Sequence, residues 1–173
     1  MDGVNKFKAI AFVGGGGDRP IGHLVLNQYK DYVQALEKET DSIPVRYFQH
    51  FQRISLGHFI RKYEGDVCIV SHSWGANSSM RVIASGNRVK KLVTLDPVGI
   101  NRPDLSRVKK NTGEWSNYFA SGPHTSLRSL MANTAAFIGR PYGNLPKGFA
   151  SRHVNDNKCN HITVCYKYCR PDA

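Results

Sequence analysis

The sequence predicts an α/β protein: a doubly wound, mainly parallel sheet of about five strands flanked by helices. Three observations carry that prediction. Short, largely apolar runs of strand length, such as Val67-Cys68-Ile69-Val70, alternate along the chain with stretches of helical spacing. Strands that are apolar almost throughout are covered on both faces, which is the condition of a parallel sheet. The residues of chemical interest fall just past these runs, at the carboxyl ends where open α/β sheets keep their sites.

In chain order, Phe7-Lys8-Ala9-Ile10-Ala11-Phe12-Val13 reads as a first strand and runs into Gly14-Gly15-Gly16-Gly17-Asp18-Arg19-Pro20. A glycine run at that place lets backbone N–H groups approach a ligand closely. Two nucleotide-binding readings fail there. G-x-G-x-x-G is broken by Arg19 and Pro20, and the phosphate loop fails because Gly22 is followed by His23 rather than lysine. Ile21 to Thr40 carries apolar residues at helical spacing (Leu24, Val25, Tyr29, Tyr32, Val33, Leu36). Pro44 opens a second strand, Val45-Arg46-Tyr47-Phe48, and Ser55 is the expected N-cap of a helix through Tyr63. The run from Val67 stops in small and polar residues, after which Trp74 to Ala84 reads as a helix. Lys91-Leu92-Val93-Thr94-Leu95 is a fourth strand, ending in Asp96-Pro97, and Trp115-Ser116-Asn117-Tyr118-Phe119 a fifth. Segments 98–114 and 121–150 are too long for plain connections and are expected to wall or cover a site. A tail follows from Ser151.

Chain length and composition bound the rest. The 173 residues are read as one domain, 1–173, and 40% hydrophobic with 21% charged residues excludes wholesale disorder. No apolar run approaches the roughly 20 residues that cross a bilayer. No Sec-type signal is visible before the first strand, so the expectation is the cytoplasm or export by another route. A net charge of +11 and a pI near 9.7 favour anionic partners: phospholipid headgroups, nucleic acid, or an acidic inhibitor or immunity-type protein. The cations cluster at Arg88-Lys90-Lys91, at Arg102-Arg107-Lys109-Lys110 and in the tail, and no nucleic-acid-binding signature accompanies them. Cys159, Cys165 and Cys169 stand together near the end, far from Cys68. With His161 they offer metal ligands at a spacing that matches no common zinc module, so neither a metal nor a cofactor is expected.

The chemistry centres on Ser71-His72-Ser73-Trp74-Gly75-Ala76. A serine at a sharp strand-to-helix turn is the setting of the G-x-S-x-G nucleophile elbow, with Ser71 in place of the first glycine. The turn demands small residues two before and two after the nucleophile, and Ser71, Gly75 and Ala76 are small. Serine is a poor nucleophile without a base, and the base needs an orienting carboxylate. Asp96 follows at the end of the next strand, and His124, His153 and His161 are the downstream candidates for the base. The glycine loop and the residue after the serine are placed to donate to an oxyanion.

These patches resemble the α/β-hydrolases of the lipase type. Ser71 to Ala76 is similar to the elbow, and Thr94-Leu95-Asp96-Pro97 to the acid-bearing strand end of pancreatic-type lipases. Cys159-Asn160-His161 followed by Tyr166-Lys167-Tyr168 resembles the segment carrying their histidine, and Trp115-Ser116-Asn117-Tyr118 a strand of small microbial hydrolases. The resemblance implies a trimmed α/β-hydrolase fold with Ser73 as nucleophile, Asp96 as orienting acid and His161 as base, His153 being the main rival. It further implies Trp74 and Gly15 or Gly16 as oxyanion donors, and Trp74, Gly17 and Asp18 as lining for the substrate. The expected activity is cleavage of carboxylic esters, with lipid or phospholipid acyl esters suggested by the charge. The alternatives are a carboxylesterase or thioesterase on soluble substrates, a basic binding protein on an inactive hydrolase scaffold, and an exported antibacterial lipase toxin.

Overall fold

The structure, a computed structural model, describes residues 7–16, 18, 24–36, 43–123 and 139–173. In chain order its elements are β1 (Ala9–Gly14), α1 (Leu24–Leu36), β2 (Val45–Gln49), α2 (Arg53–Lys62), β3 (Val67–His72), α3 (Trp74–Ala84), β4 (Val89–Leu95), α4 (Leu105–Lys110), β5 (Thr112–Ala120), β6 (Arg152–Asp156) and α5 (Thr163–Tyr168). A 3-10 turn at Leu145–Gly148 precedes β6.

All six strands are parallel, in the order β2-β1-β3-β4-β5-β6. The period of two along each strand divides the apolar side chains between two cores. Ala9, Ala11, Val13, Val67, Ile69, Leu92 and Trp115 face α2, α3 and α4, meeting Leu56, Ile60, Met80, Ile83 and Val108. Ile10, Phe12, Cys68, Val70, Val93, Leu95 and Tyr118 face α1 and α5, meeting Leu24, Val25, Val164 and Cys165. Each large side chain removed from water this way stabilises the fold by about 1.5–3 kcal/mol. The strand order reverses between β1 and β3, and the carboxyl ends at such a switch point are where open α/β sheets hold their sites.

The sheet has six strands, against the five expected. The sixth is β6, Arg152-His153-Val154-Asn155-Asp156, which pairs with β5 through Tyr118↔Val154 and its neighbours. It is an edge strand, half-covered and polar, so the apolar signal of the inner strands is missing from it. Segment 98–114 contains α4, whose N-cap Asp104 accepts from the Ser106 N–H at 2.9 Å. The helix expected from Ser55 begins earlier, at Arg53, with Gln52 at its N-cap. Of segment 121–150, the part from 139 onward lies beside the end of β4. There Tyr142 donates to the Pro97 carbonyl and Gly99 to that of Arg140. The basic cluster at Arg88-Lys90-Lys91 is partly neutralised: Lys91 is buried against Glu114 at 3.2 Å, and Lys90 meets Asp66 at 3.1 Å.

Candidate active site

β3 ends at His72 and α3 begins at Trp74, so Ser73 alone makes the turn between them. It does so at φ 54° and ψ −125°, a backbone conformation that side-chain-bearing residues rarely adopt and that costs about 1–3 kcal/mol. Hydrogen bonds fix it. The Ser73 N–H donates to the Leu95 carbonyl at 3.0 Å, and the Ser73 carbonyl accepts from Ala76, Asn77 and Val98. Gly75 permits the close approach that follows, since a Cβ there would lie 2.5 Å from the Val13 carbonyl oxygen.

The second strained residue is Asp96, at φ 42° just past β4, with its N–H donating to the Tyr118 carbonyl at 2.7 Å. The turn aims its carboxylate at His161, whose Nδ1 lies 2.5 Å from Asp96 Oδ2. On the other side of the ring, His161 Nε2 is 3.0 Å from Ser73 Oγ. An ionised Asp96 can only accept, so Nδ1 carries the proton and Nε2 is left to accept from the serine hydroxyl. All three residues are buried.

His161 sits on a loop rather than on a strand end, and side chains hold that loop. Asn160 Oδ1 accepts from the N–H groups of Ile162 and Thr163, both at 3.0 Å, turning the chain into α5. Asp156, at the end of β6, accepts from the Lys158 N–H, the Lys167 ammonium and the Tyr168 hydroxyl. The Lys167 contact, followed by the Lys158 N–H, holds the Asp156 carboxyl well below the usual carboxylate range. The third support is His72. Its Nε2 lies 2.8 Å from the His161 carbonyl oxygen, and the two rings pack at 4.5 Å between centroids. Burial, and next the repulsion that a protonated His72 would meet from His161 beside it, push the His72 pKa well below its ordinary value, so the ring is neutral. A carbonyl only accepts, and Nε2 therefore carries the His72 proton.

The glycine loop closes on the same point. A Cβ on Gly15 would sit 2.9 Å from Ser73 Cβ, so only glycine brings this backbone against the serine. The Gly15 carbonyl accepts from the Asp18 N–H at 3.3 Å. The Gly16 N–H, antiparallel across the same trans peptide, therefore points out of that turn. Trp74 is the first residue of α3, so its N–H has no acceptor within the helix. Its indole runs between Gly16 and Gly139, where added Cβ atoms would come within 3.3 and 2.5 Å of the ring.

Ser73, Asp96, His161, Trp74, Gly15 and Gly16 are thus gathered at the carboxyl end of the sheet. Asp18 is close by but its carboxylate is engaged in structure: it accepts from the Val25 and Leu26 N–H groups and, at 2.6 Å, from the Tyr47 hydroxyl, capping α1. Gly17 and His124 lie outside the described residues. His153 is turned elsewhere. Its Nδ1 accepts from Asn117 Nδ2 at 3.0 Å and its Nε2 faces Asn144 Oδ1 at 3.1 Å, in a network that continues through Thr94 to Trp115. The four cysteines are buried thiols; burial pushes Cys68 up to about 12 and Cys165 well above the ordinary thiol value.

From the sequence His72 reads as packing beside the elbow, without its bond to the His161 carbonyl. Sequence reasoning missed the other supports of the histidine loop, Asp156 and Asn160, and His50, which reaches the Gly15 backbone and whose pKa burial lowers. Strand parity carries the signal for His72: it shares a face with Cys68 and Val70, and α5 packs there. No known protein-family model matches this sequence, and no curated protein matches it either.

Proposed function

We propose that the protein is a serine hydrolase on a trimmed α/β-hydrolase fold, cleaving carboxylic esters through an acyl-enzyme. The observation that carries this reading is the continuous chain Ser73 Oγ, His161 Nε2, His161 Nδ1, Asp96 Oδ2, with steps of 3.0 and 2.5 Å. His161 takes the hydroxyl proton as Ser73 Oγ attacks the acyl carbonyl, and Asp96 holds the resulting imidazolium. The N–H groups of Trp74 and of Gly15 or Gly16 receive the oxyanion. His161 then protonates the leaving alcohol, and water deprotonated by the same ring releases the acid. The strained Ser73 backbone and the glycine pressed against it support the assignment of the nucleophile.

The excess of positive charge favours acyl esters of anionic lipids as substrates over small soluble esters. Labelling by a fluorophosphonate probe tests the reading. The unmodified protein and His153→Ala should label, whereas Ser73→Ala and His161→Ala should not. A protein that takes no label would instead be a binding protein on a hydrolase scaffold. Hydrolysis confined to soluble nitrophenyl esters would remove the lipid half of the proposal.

A further inference from the structure

The segment between Asp41 and Glu64 contains no carboxylate, and it carries Arg46, Arg53, Arg61 and Lys62. It builds β2 and α2, and α2 turns Leu56, Gly57, Phe59 and Ile60 inward to the core. Outward, the spacing of three and four residues lines up Ile54, His58 and Arg61 along one ridge of α2, and Phe51 is exposed in the turn just before the helix. Phe51 is 64% exposed and Ile54 79% exposed, an unusual pair of apolar side chains to leave in water at neighbouring positions.

Grooves run along both sides of this ridge. One, of about 440 Å³, is lined by Arg53, Arg61 and Arg81 with Ile54 and Asn87; the other, of about 500 Å³, by Arg46, His58 and Lys62 with Phe59 and Tyr63. Neither lining includes an acid. Arg61 donates to Asn87 Oδ1 at 2.9 Å, and Arg46 and Lys62 lie over Phe48 and Tyr63. Among the described residues, none of the five cations is paired with a carboxylate. The amino end of α2 follows the carboxyl end of β2, so Phe51 and Ile54 stand at the same, carboxyl end of the sheet as Ser73.

We propose that α2 and its two flanking grooves form the face by which the protein docks on an anionic phospholipid bilayer. Phe51 and Ile54 enter the interface, and Arg46, Arg53, Arg61, Lys62 and Arg81 meet the lipid phosphates. The pairing of apolar tips with cations that meet no carboxylate among the described residues is what selects a bilayer: hydrocarbon accepts the first and headgroups the second. A nucleic acid would satisfy only the cations. Docking in this pose lays α2 along the surface, with its amino end, Phe51 and Ile54 at the end of the sheet that holds Ser73. The biological sense of this face rests on the lipid-directed reading above, but the face can be tested without it.

The test is co-sedimentation of full-length Ser73→Ala protein with vesicles of phosphatidylcholine, alone or mixed with phosphatidylglycerol. Binding should require phosphatidylglycerol and weaken with added salt. Arg53→Gln/Arg61→Gln/Arg81→Gln should lower the partition coefficient roughly 100-fold, at about fivefold per cation. Phe51→Ser/Ile54→Ser should also lower it, with less change in its salt dependence. Placed in the active protein, both sets should leave turnover of a soluble nitrophenyl ester unchanged, which also shows that the variants fold. Vesicle binding that ignores phosphatidylglycerol, or that survives both sets, overturns the proposal. So does tighter binding to single-stranded DNA or polyglutamate than to the vesicles. Absence of ester turnover with intact vesicle binding would reject the hydrolase reading and leave this face standing.

Discussion

Two of the three vertices of the site are built differently from the third. Ser73 and Asp96 stand on the ends of adjacent inner strands, each at a positive φ, and main-chain hydrogen bonds from neighbouring strands lock both. His161 stands past an edge strand, on a loop held by the side chains of His72, Asp156 and Asn160. The strand-end vertices are fixed by the sheet itself and can be lost only with it. The loop vertex is fixed by a handful of polar contacts that single substitutions can remove one at a time.

The largest expected effects fall on the strand-end side. Ser73→Ala should abolish probe labelling and reduce kcat by roughly 10⁶-fold with the fold intact by circular dichroism. Asp96→Asn removes the acceptor that sets the His161 tautomer and should cost roughly 10⁴-fold in kcat; near-normal turnover would show that the contact with His161 is only structural. Gly15→Ala pushes a methyl group against Ser73 Cβ and should lower kcat on the order of 10²-fold without affecting thermal stability comparably.

Smaller effects belong to the loop side. His72→Phe keeps the bulk but drops the donor to the His161 carbonyl, and should cost up to about 10²-fold in kcat. His72→Gln, which restores an N–H at similar reach, should recover most of it. The same residue imposes a pH dependence on stability. The unfolded chain protonates His72 near 6.5 while the folded ring resists protonation, so stability is full above that pH and falls as pH drops below it. His50 and His153, both also lowered mainly by burial, act in the same direction, so His72→Gln should reduce the slope of melting temperature against pH without removing it. Asn160→Ala should cost about 1 kcal/mol, a shift of roughly 2–4 °C in Tm, with a modest loss of kcat.

The contrast also explains what could be read in the sequence. Inner strands and strand-end residues announce themselves: Val67 to Val70 is apolar on both faces, and the small residues around Ser73 mark the tight strand-to-helix turn at its end. Asp96-Pro97 follows the same logic one strand on. β6 was illegible because an edge strand needs no apolar face, and Arg152 to Asp156 has the composition of a loop. Asp18 looked like part of a ligand loop because its real partners, the N–H groups of Val25 and Leu26 and the Tyr47 hydroxyl, are brought to it only by the fold. Lys91 looked like surface charge for a similar reason. Its partner Glu114 becomes its neighbour only through the register of β4 with β5.

The position of His161 late in the chain has a temporal consequence. It meets Asp96 across 65 positions and Ser73 across 88, so the relay closes only after β6 and α5 have docked on a sheet whose other strands precede them in the chain. Closing loops of that length carries an entropic cost that local contacts do not. On the hydrolase reading proposed above, a nascent chain with β1 to β5 in place would therefore carry its strained serine without a base, chemically silent. In the finished protein, local opening of the β6–α5 edge would return the site to that silent state while both cores stayed folded.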